Sequence, residues 1–507
     1  MSISAPANAS SPTVVSTAGV AEAAPAANHA ARSTRLGPGA LAVYGSGALV
    51  ENITTLTVGQ LLLFYLTIVC GLSGTAAGFV LGPTLFVDAF IDPVVGSLSD
   101  NSRSRHGRRH PFMLASVIPM MVAFGLLFSI PRGLHGGMLF AYALTTLLAL
   151  RIGISFFQVP YFALGAELSD DYAERSTIVA GRVLFTVVSQ LLFPILAFGV
   201  FLKGAHGRWD HDAYAPLAWS CAAILAVGGL VSTLGTLRQR TRLHTAAADA
   251  RFSPLRFLGE GVEVLRNRSF LHLFLCCLIL FAALGAAGAL TLHANTFFWK
   301  LTSGQLLTLG VVTPIGGITG VVAAAWLARV MEKRSIAMLG LSLLGVAQIA
   351  PVTLSLTHVI GPSQSVATLI AAVILITFGG SLATISFQSM MADAADEHEH
   401  LFGARREGLF FAGITFSAKA ASGLGLLLGG IALDLIGFPH GLAATPARLA
   451  AIPVATINHL GIAYGPGAGL FTAVAVAVLL GFRLTRRDHA RIIEDLNRRR
   501  TEAPPSA

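Results

Sequence analysis

Charge is what this sequence has least of. Only 12% of its 507 residues are Asp, Glu, Lys or Arg, against 54% apolar residues, and the mean hydropathy is +0.72. A soluble domain carries about twice that charge, so the bulk of the chain is suited to lipid. No GxxxxGK(S/T) stretch occurs, which argues against ATP hydrolysis within the chain. Cysteine is scarce as well: Cys70, Cys221, Cys276 and Cys277 lie in apolar segments without zinc spacing and read as unpaired core residues. No nucleophile–base pair or metal-ligand set stands out, so an enzyme is the least favoured class, and no cofactor or metal is expected. The net charge of +9 reflects loop arginines of the kind that orient membrane proteins, not a nucleic-acid surface.

What the sequence has in abundance is long apolar runs. A bilayer-crossing helix needs about 20 such residues, and twelve segments qualify: 41–70, 74–98, 111–131, 136–166, 178–202, 214–236, 269–297, 304–330, 335–358, 364–392, 408–437 and 457–483. Arginine and lysine are concentrated in alternate loops, and the positive-inside rule then places both termini in the cytoplasm of an inner-membrane protein. Residues 1–36, rich in Ala, Ser and Pro, form a disordered tail; 37–236 form one six-helix bundle; 237–267 form a basic central loop; 268–484 form a second bundle; 485–507 form a basic tail at the membrane surface. The expected fold is an all-α membrane protein of twelve transmembrane helices in two pseudo-symmetric bundles. The stretches AELSDDYAERS after the fourth span and ADAADEHEHLFGARREG after the tenth echo each other. Such repeats are the mark of secondary transporters, with substrate held between the halves. The acidic run Asp396–His400 is assigned to a solvated loop network in preference to a metal site.

An ionised side chain in hydrocarbon costs at least roughly 2.5–3.5 kcal/mol, so each one needs a partner or a purpose. The deepest are Glu51, Asp88, Asp92, Arg151 and Lys419, with Arg182 near a helix end. Asp88 and Asp92, four apart, share one helix face. Two such carboxylates hold a cation, share a proton or pair with a base. Ion coupling is one reading; structural pairing with Lys419 and Arg151 is the other. Arg151, Ser155 and Gln158 share a face of the fourth span and would offer a cation and two hydrogen-bonding groups to a polar or anionic substrate. Arg151 serves equally well to neutralise Glu51 or Asp88. Tyr44, Asn52 and Gln388 add polar groups. The segment GSLSDNSRSRHGRR places Asp100 at a helix end beside Arg105, Arg108 and Arg109, a candidate charge latch on the cytoplasmic side.

Three stretches, DAFIDPVVGSLSDNSRSRHGRRHPF, VPYFALGAELSDDYAERS and GARREGLFFAGITFSAKAASG, together resemble the glycoside–pentoside–hexuronide:cation symporters, the melibiose permease-like family of the major facilitator superfamily. The resemblance runs from Tyr44 to the last span. It implies that Asp88 and Asp92 form a cation site, that Ser155 assists it, and that Lys419 sits beside it. It further implies that Arg182 lies near the sugar and that Arg175, Arg405, Arg406 and Glu407 belong to the cytoplasmic latch. The departures matter as much. Asn52 and Gln158 stand where the family has galactoside-gripping aspartates, Phe162 replaces a tryptophan, Ile91 replaces an asparagine tied to sodium use, and Glu51 replaces a lysine. These changes favour H+ over Na+ as the coupling ion, and a uronide or similar acid over a galactoside. The expectation is a monomeric, proton-coupled symporter of a glycoside, oligosaccharide or sugar acid. Its substrate would be held by Tyr44, Asn52, Arg151, Gln158, Phe162 and Arg182. A carrier of an amphiphilic or other non-sugar metabolite, or a non-transporting sensor on the same fold, are the alternatives.

Overall fold

The computed structural model describes residues 36–102, 104, 107–169, 171–204, 207–237, 264–361, 364–403, 407–442 and 452–502. Eleven of the described helices are long and apolar enough to cross a membrane. A twelfth crossing, α1, is a helical run over 38–69 that a simple length test breaks into pieces. It starts with Pro38 in its first turn and turns at Ser46 and Gly47, both still right-handed helical. It then passes through two π-helical segments, Val58–Leu62 and Tyr65–Val69. The other crossings are α2 (Gly74–Asp100), α3 (His110–Leu127), α4 (Gly136–Glu167), α5 (Tyr172–Pro194, with a π extension Ile195–Phe201) and α6 (His211–Thr236). The second half holds α7 (Arg268–His293, extended by Ala294–Phe298), α8 (Ser303–Leu327), α9 (Lys333–Leu356), α10 (Ser365–Phe402), α11 (Glu407–Leu435) and α12 (Val454–Ile462 to Ala468–Leu479, through the π segment Ala463–Gly467). A final helix, α13 (Arg486–Glu502), is polar. Among the described residues the fold is thus all-helical, with twelve transmembrane helices.

Helix starts follow local chemistry. Ser73, Asp171, Asp210 and Asn267 each accept a hydrogen bond from a first-turn backbone N–H of α2, α5, α6 and α7, and Thr302 with Gln305 forms a reciprocal capping box on α8. One boundary departs from the sequence reading. α10 continues past 392 to Phe402, so Asp396–His400 is helical, not a loop. No proline or glycine interrupts that stretch, and the helix stops only at Gly403, whose φ of +74° suits glycine. The tail helix α13 docks on this extension: His489 Nε2 lies 3.0 Å from Asp396 Oδ2, and Arg499 donates to the His400 carbonyl at 3.1 Å. Most of the N-terminal tail and central loop, with Arg105, Arg405 and Arg406, lie outside the described residues.

The halves meet most closely along α2 and α11. In lipid, helices gain nothing from burying apolar surface against each other, so close van der Waals packing and polar contacts must hold them together. Gly74, Gly78 and Gly82 supply that approach: a Cβ at any of them would fall within 3.0 Å of α11 atoms, chiefly backbone around Gly430, Leu427 and Gly423. The core is asymmetric. One buried cluster joins first-half residues such as Phe64 and Phe128 to Leu290, Phe297 and Phe438 of the second half. All of these lie towards the end away from the arginine loops. At the arginine-loop end the second half has a separate core around Phe270, Phe387 and Phe410.

Candidate substrate and ion site

A line of charge crosses the middle of the molecule. Arg151 Nη1 on α4 donates to Asp88 Oδ2 on α2 at 3.4 Å, and one turn along α2 Asp92 pairs with Lys419 Nζ of α11. The second pair bridges the two halves. Glu51 on α1 lies close to the Gln158 side chain and within charge-interaction range of Lys419, Arg182 and Asp92. Asp88 is only 3% exposed. Asp88 Oδ1 and Asp92 Oδ1 are both buried without a hydrogen-bond partner, and so is Arg151 Nε. A buried acceptor left unpaired costs about 1–3 kcal/mol, more when charged. Two orphan carboxylate oxygens one turn apart are therefore the natural ligands for a proton or a small cation.

Beside this line is a polar wall made by α1, α4 and α5. The Asn52 amide donates to the Ala48 carbonyl at 2.8 Å and to Thr186 Oγ1 at 3.2 Å, which fixes its carbonyl oxygen towards other partners. The Arg182 guanidinium lies 4.7 Å from the Phe162 ring centroid, and Phe162 is 37% exposed. Glu51, Gln158, Phe162 and Arg182 thus lie close to one another and to the ion pairs. Tyr44 is placed differently from a ligand-contacting residue. It is buried, stacked on Tyr161 with centroids 4.7 Å apart, and the two hydroxyls donate to each other's backbone carbonyls at 3.3 and 3.1 Å. The Tyr44 hydroxyl lies near Arg182. Ser155 is buried on α4, one turn from Arg151.

Away from the arginine loops, hydrogen bonds tie the halves together. Asp434 at the end of α11 accepts from the backbone N–H groups of Gly74 and Thr75 at 2.8 and 2.7 Å, capping α2 from across the seam. Thr67 Oγ1 lies 2.9 Å from His293 Nε2. Arg208 donates to Thr296 Oγ1 at 2.9 Å and to the Leu301 carbonyl at 2.8 Å, and Ser303 donates to the Leu202 carbonyl at 2.8 Å. Burial lowers the Arg208 pKa from its ordinary value. None of these contacts has a sequence signature, because each joins residues more than 80 positions apart through folding alone.

At the arginine-loop end, Glu167 of α4 receives Arg108 at 2.5 Å and Arg109 at 3.0 Å, and Arg109 also pairs with Asp100. This network joins α2, its following loop and α4 within the first half. Arg175 Nε donates to the Ser169 carbonyl at 2.7 Å. Glu407 begins α11. Glu167 is the residue that the sequence reading omitted from the latch, and Glu51 the one it left out of the site. Both sit in the motifs that flagged their neighbours, and Glu51 carried its own signal as an acid within an apolar span.

Comparison with known proteins agrees with this fold. Residues 43–486 match the family described as MFS/sugar transport protein. The chain is 25% identical to the glucuronide carrier protein homolog of Escherichia coli, over 90% of this chain and 95% of that one. It is 23% identical to the isoprimeverose transporter of Lactiplantibacillus pentosus, over 79% and 81%. Its fold is similar to the crystal structure of a bacterial homolog of the human lysosomal transporter Spinster in an inward-facing, unoccupied conformation. The TM-score is 0.59 at 13% identity, covering 88% of this chain and 98% of that one. The chain therefore belongs to the MFS/sugar transport family, within the glycoside–pentoside–hexuronide:cation symporters of the major facilitator superfamily.

Proposed function

We propose that this multi-pass protein is a proton-coupled symporter of a sugar acid or other glycoside, working by alternating access in the inner membrane with both termini in the cytoplasm. The observation that carries the reading is the pair of buried, unpartnered oxygens Asp88 Oδ1 and Asp92 Oδ1, set between Arg151 and the inter-half partner Lys419. Ionised, the three acids Glu51, Asp88 and Asp92 balance the three bases Arg151, Arg182 and Lys419. An ion arriving alone leaves this low-dielectric site one charge in excess, which is costly. An ion arriving with a carboxylate-bearing substrate leaves it neutral. That balance favours a uronide, as the departures of Asn52 and Gln158 from acids also do. The name of the Escherichia coli relative points the same way.

The mechanism follows from which contact each arrival weakens. A proton on Asp92 removes the charge that holds Lys419 and so loosens the only ion pair drawn across the middle of the seam among the described residues. Substrate bound against Gln158, Phe162 and Arg182 draws Arg182 from Glu51, which leaves Glu51 to take up Lys419. Both events act on the same inter-half contact, so the conformational change is biased fully only when both ligands are present. The far-end hydrogen bonds of Asp434, His293 and Arg208 fit an inward-facing state. Counterflow of labelled methyl β-D-glucuronide, methyl β-D-glucoside and an isoprimeverose-type disaccharide in proteoliposomes tests the reading. Exchange of the glucuronide that is lost in Arg182→Ala supports it. Binding of a panel member without exchange of any would instead favour a sensor.

A further inference from the structure

At the arginine-loop end of the second half, a hollow of about 610 Å³ lies where α7 begins, α12 ends and α13 returns against the extension of α10. Arg268, Arg483 and Arg491 line it, with His272 and His400. Positive charge at the ends of membrane crossings orients a chain, which accounts for arginines in this set of loops. It does not account for three of them around one concavity, none in ion-pair contact with a carboxylate among the described residues. The acids of the lining are engaged elsewhere. Glu397 accepts from the Asn267 amide at 3.2 Å, Asp488 accepts from the Thr485 hydroxyl at 2.6 Å, and Asp495 pairs with Arg498 at 3.0 Å. Arg491 lies within charge-interaction range of Asp488 without forming an ion pair with it.

Guanidinium groups gathered around one hollow repel one another, and an anion placed among them converts that repulsion into attraction. The planar fork of N–H groups on each matches the oxygens of a phosphate. The start of α7 adds to this. Asn267 caps that helix by accepting from the Phe270 N–H at 2.8 Å, so the N–H groups of Arg268 and Ser269 have no partner within the helix, and Ser269 lines the hollow. The same helix end carries the positive pole of its dipole, which favours an anion. His400 Nδ1 is buried without a hydrogen-bond partner, which leaves a further ring nitrogen of the lining unsatisfied. Apolar groups are present as well: Leu484 and Ile492 belong to the lining, and Leu480, next to Gly481 of the lining, is 52% exposed. A free phosphate would leave these side chains in water. The glycerol and first acyl methylenes of a lipid would cover them.

We propose that this hollow holds the phosphodiester headgroup of an anionic phospholipid, with Arg268, Arg483 and Arg491 around the phosphate and Leu480, Leu484 and Ile492 against the glycerol. Arg268 and Arg483 stand at the ends of two membrane crossings, which places the hollow at headgroup depth. Arg491 belongs to α13. The lipid therefore ties the tail helix to α7 and α12, in addition to the direct contacts of α13 with α10. Such a site is independent of which ion or sugar the carrier moves.

The test is native mass spectrometry of the full chain in detergent, delipidated and then offered phosphatidylglycerol and phosphatidylcholine of the same acyl chains at equal concentration. A parallel sample receives inorganic phosphate alone. Each arginine at a lipid surface contributes about fivefold, so wild type should retain phosphatidylglycerol about tenfold or more in preference to phosphatidylcholine. The triple variant Arg268→Gln/Arg483→Gln/Arg491→Gln should lose that preference. Arg266→Gln/Arg329→Gln/Arg487→Gln removes the same charge from residues outside the lining and should keep it. All six positions are exposed, so both variants should fold. Were the first not to fold, Arg268→Gln/Arg483→Gln alone should cut the preference about fivefold or more. A preference that survives these substitutions, or that falls as far in the charge-matched variant, overturns the site. Equal retention of the two lipids by wild type, with bound phosphate that the triple variant loses, assigns the hollow to a soluble phosphate compound and overturns the lipid. Equal retention without bound phosphate overturns the site altogether.

Discussion

The two walls of the central space are built to opposite rules. The first half supplies Glu51, Asp88, Asp92, Arg151 and Arg182, gathered close together, with Arg151 paired to Asp88. The second half contributes Lys419 to that network, and its own interior holds largely aliphatic cavities lined by Gly288, Leu369 and Val373. A carrier must keep ion and substrate in contact with each other, which demands charges clustered on one rigid body. It must also report their arrival to the other half, which needs only one bond across the seam. In the proposed mechanism Lys419, paired with Asp92, supplies that bond. On the proposed reading, concentrating recognition on one half and leaving a single charged partner on the other lets the neutralisation of Asp92 act on the conformational equilibrium through the one ion pair across the middle of the seam among the described residues.

The comparison can be broken in several ways, and the largest effect belongs to Asp92. Asp92→Asn should abolish uphill accumulation of substrate while leaving equilibrative counterflow in place, measured in the same proteoliposomes with and without an imposed pH gradient. Next is the stability of the bridge. Lys419→Ala removes one member of a partly buried pair and should destabilise the protein by about 3 kcal/mol. The double variant Asp92→Asn/Lys419→Met should recover most of that loss, read as the midpoint of thermal unfolding in detergent. The far-end seal comes third. Asp434→Ala removes two inter-half caps and should shift the balance towards outward opening by about 1–2 kcal/mol, or about five- to thirtyfold. The rate of alkylation of a Gly288→Cys reporter by a membrane-impermeant maleimide measures it.

Smaller effects sharpen the division between walls. Phe162→Ala removes the ring beneath Arg182, a contact of about 0.5–2 kcal/mol. It should raise KM for methyl glucuronide several-fold with little change in kcat, and Phe162→Trp should keep KM near wild type. The docked tail should matter least: His489→Ala breaks a partly exposed hydrogen bond with Asp396 and should cost less than about 1 kcal/mol of stability, with transport unchanged.

Most of the architecture was legible because lipid imposes a simple rule, about 20 apolar residues for each crossing. The segments expected from composition coincide with α2 to α9, α11 and α12 within a few residues. The expected span 41–70 matches α1 as well, although its π segments and the Ser46–Gly47 turn leave no mark on hydropathy, and α10 ran on because charge in a helix's last turns does not end it. Within the site, buried charge was itself the signal, so Asp88, Asp92, Arg151 and Lys419 could be named from the sequence. Their pairing could not, since the choice of Lys419 for Asp92 and Arg151 for Asp88 depends on how α2 sits between α4 and α11. Tyr44 looked like a free polar group in an apolar run; Tyr161, 117 positions away, takes its ring and its hydroxyl. The far-end seal through Asp434 was invisible for the same reason.

The most direct measurement is proton movement itself. Proteoliposomes loaded with a pH-sensitive dye receive methyl β-D-glucuronide without any ion gradient, for wild type and for Asp92→Asn. The account predicts substrate-driven acidification of the lumen in wild type that is absent in Asp92→Asn. Acidification that persists in Asp92→Asn, or uptake that requires Na+ and moves no protons, would contradict it.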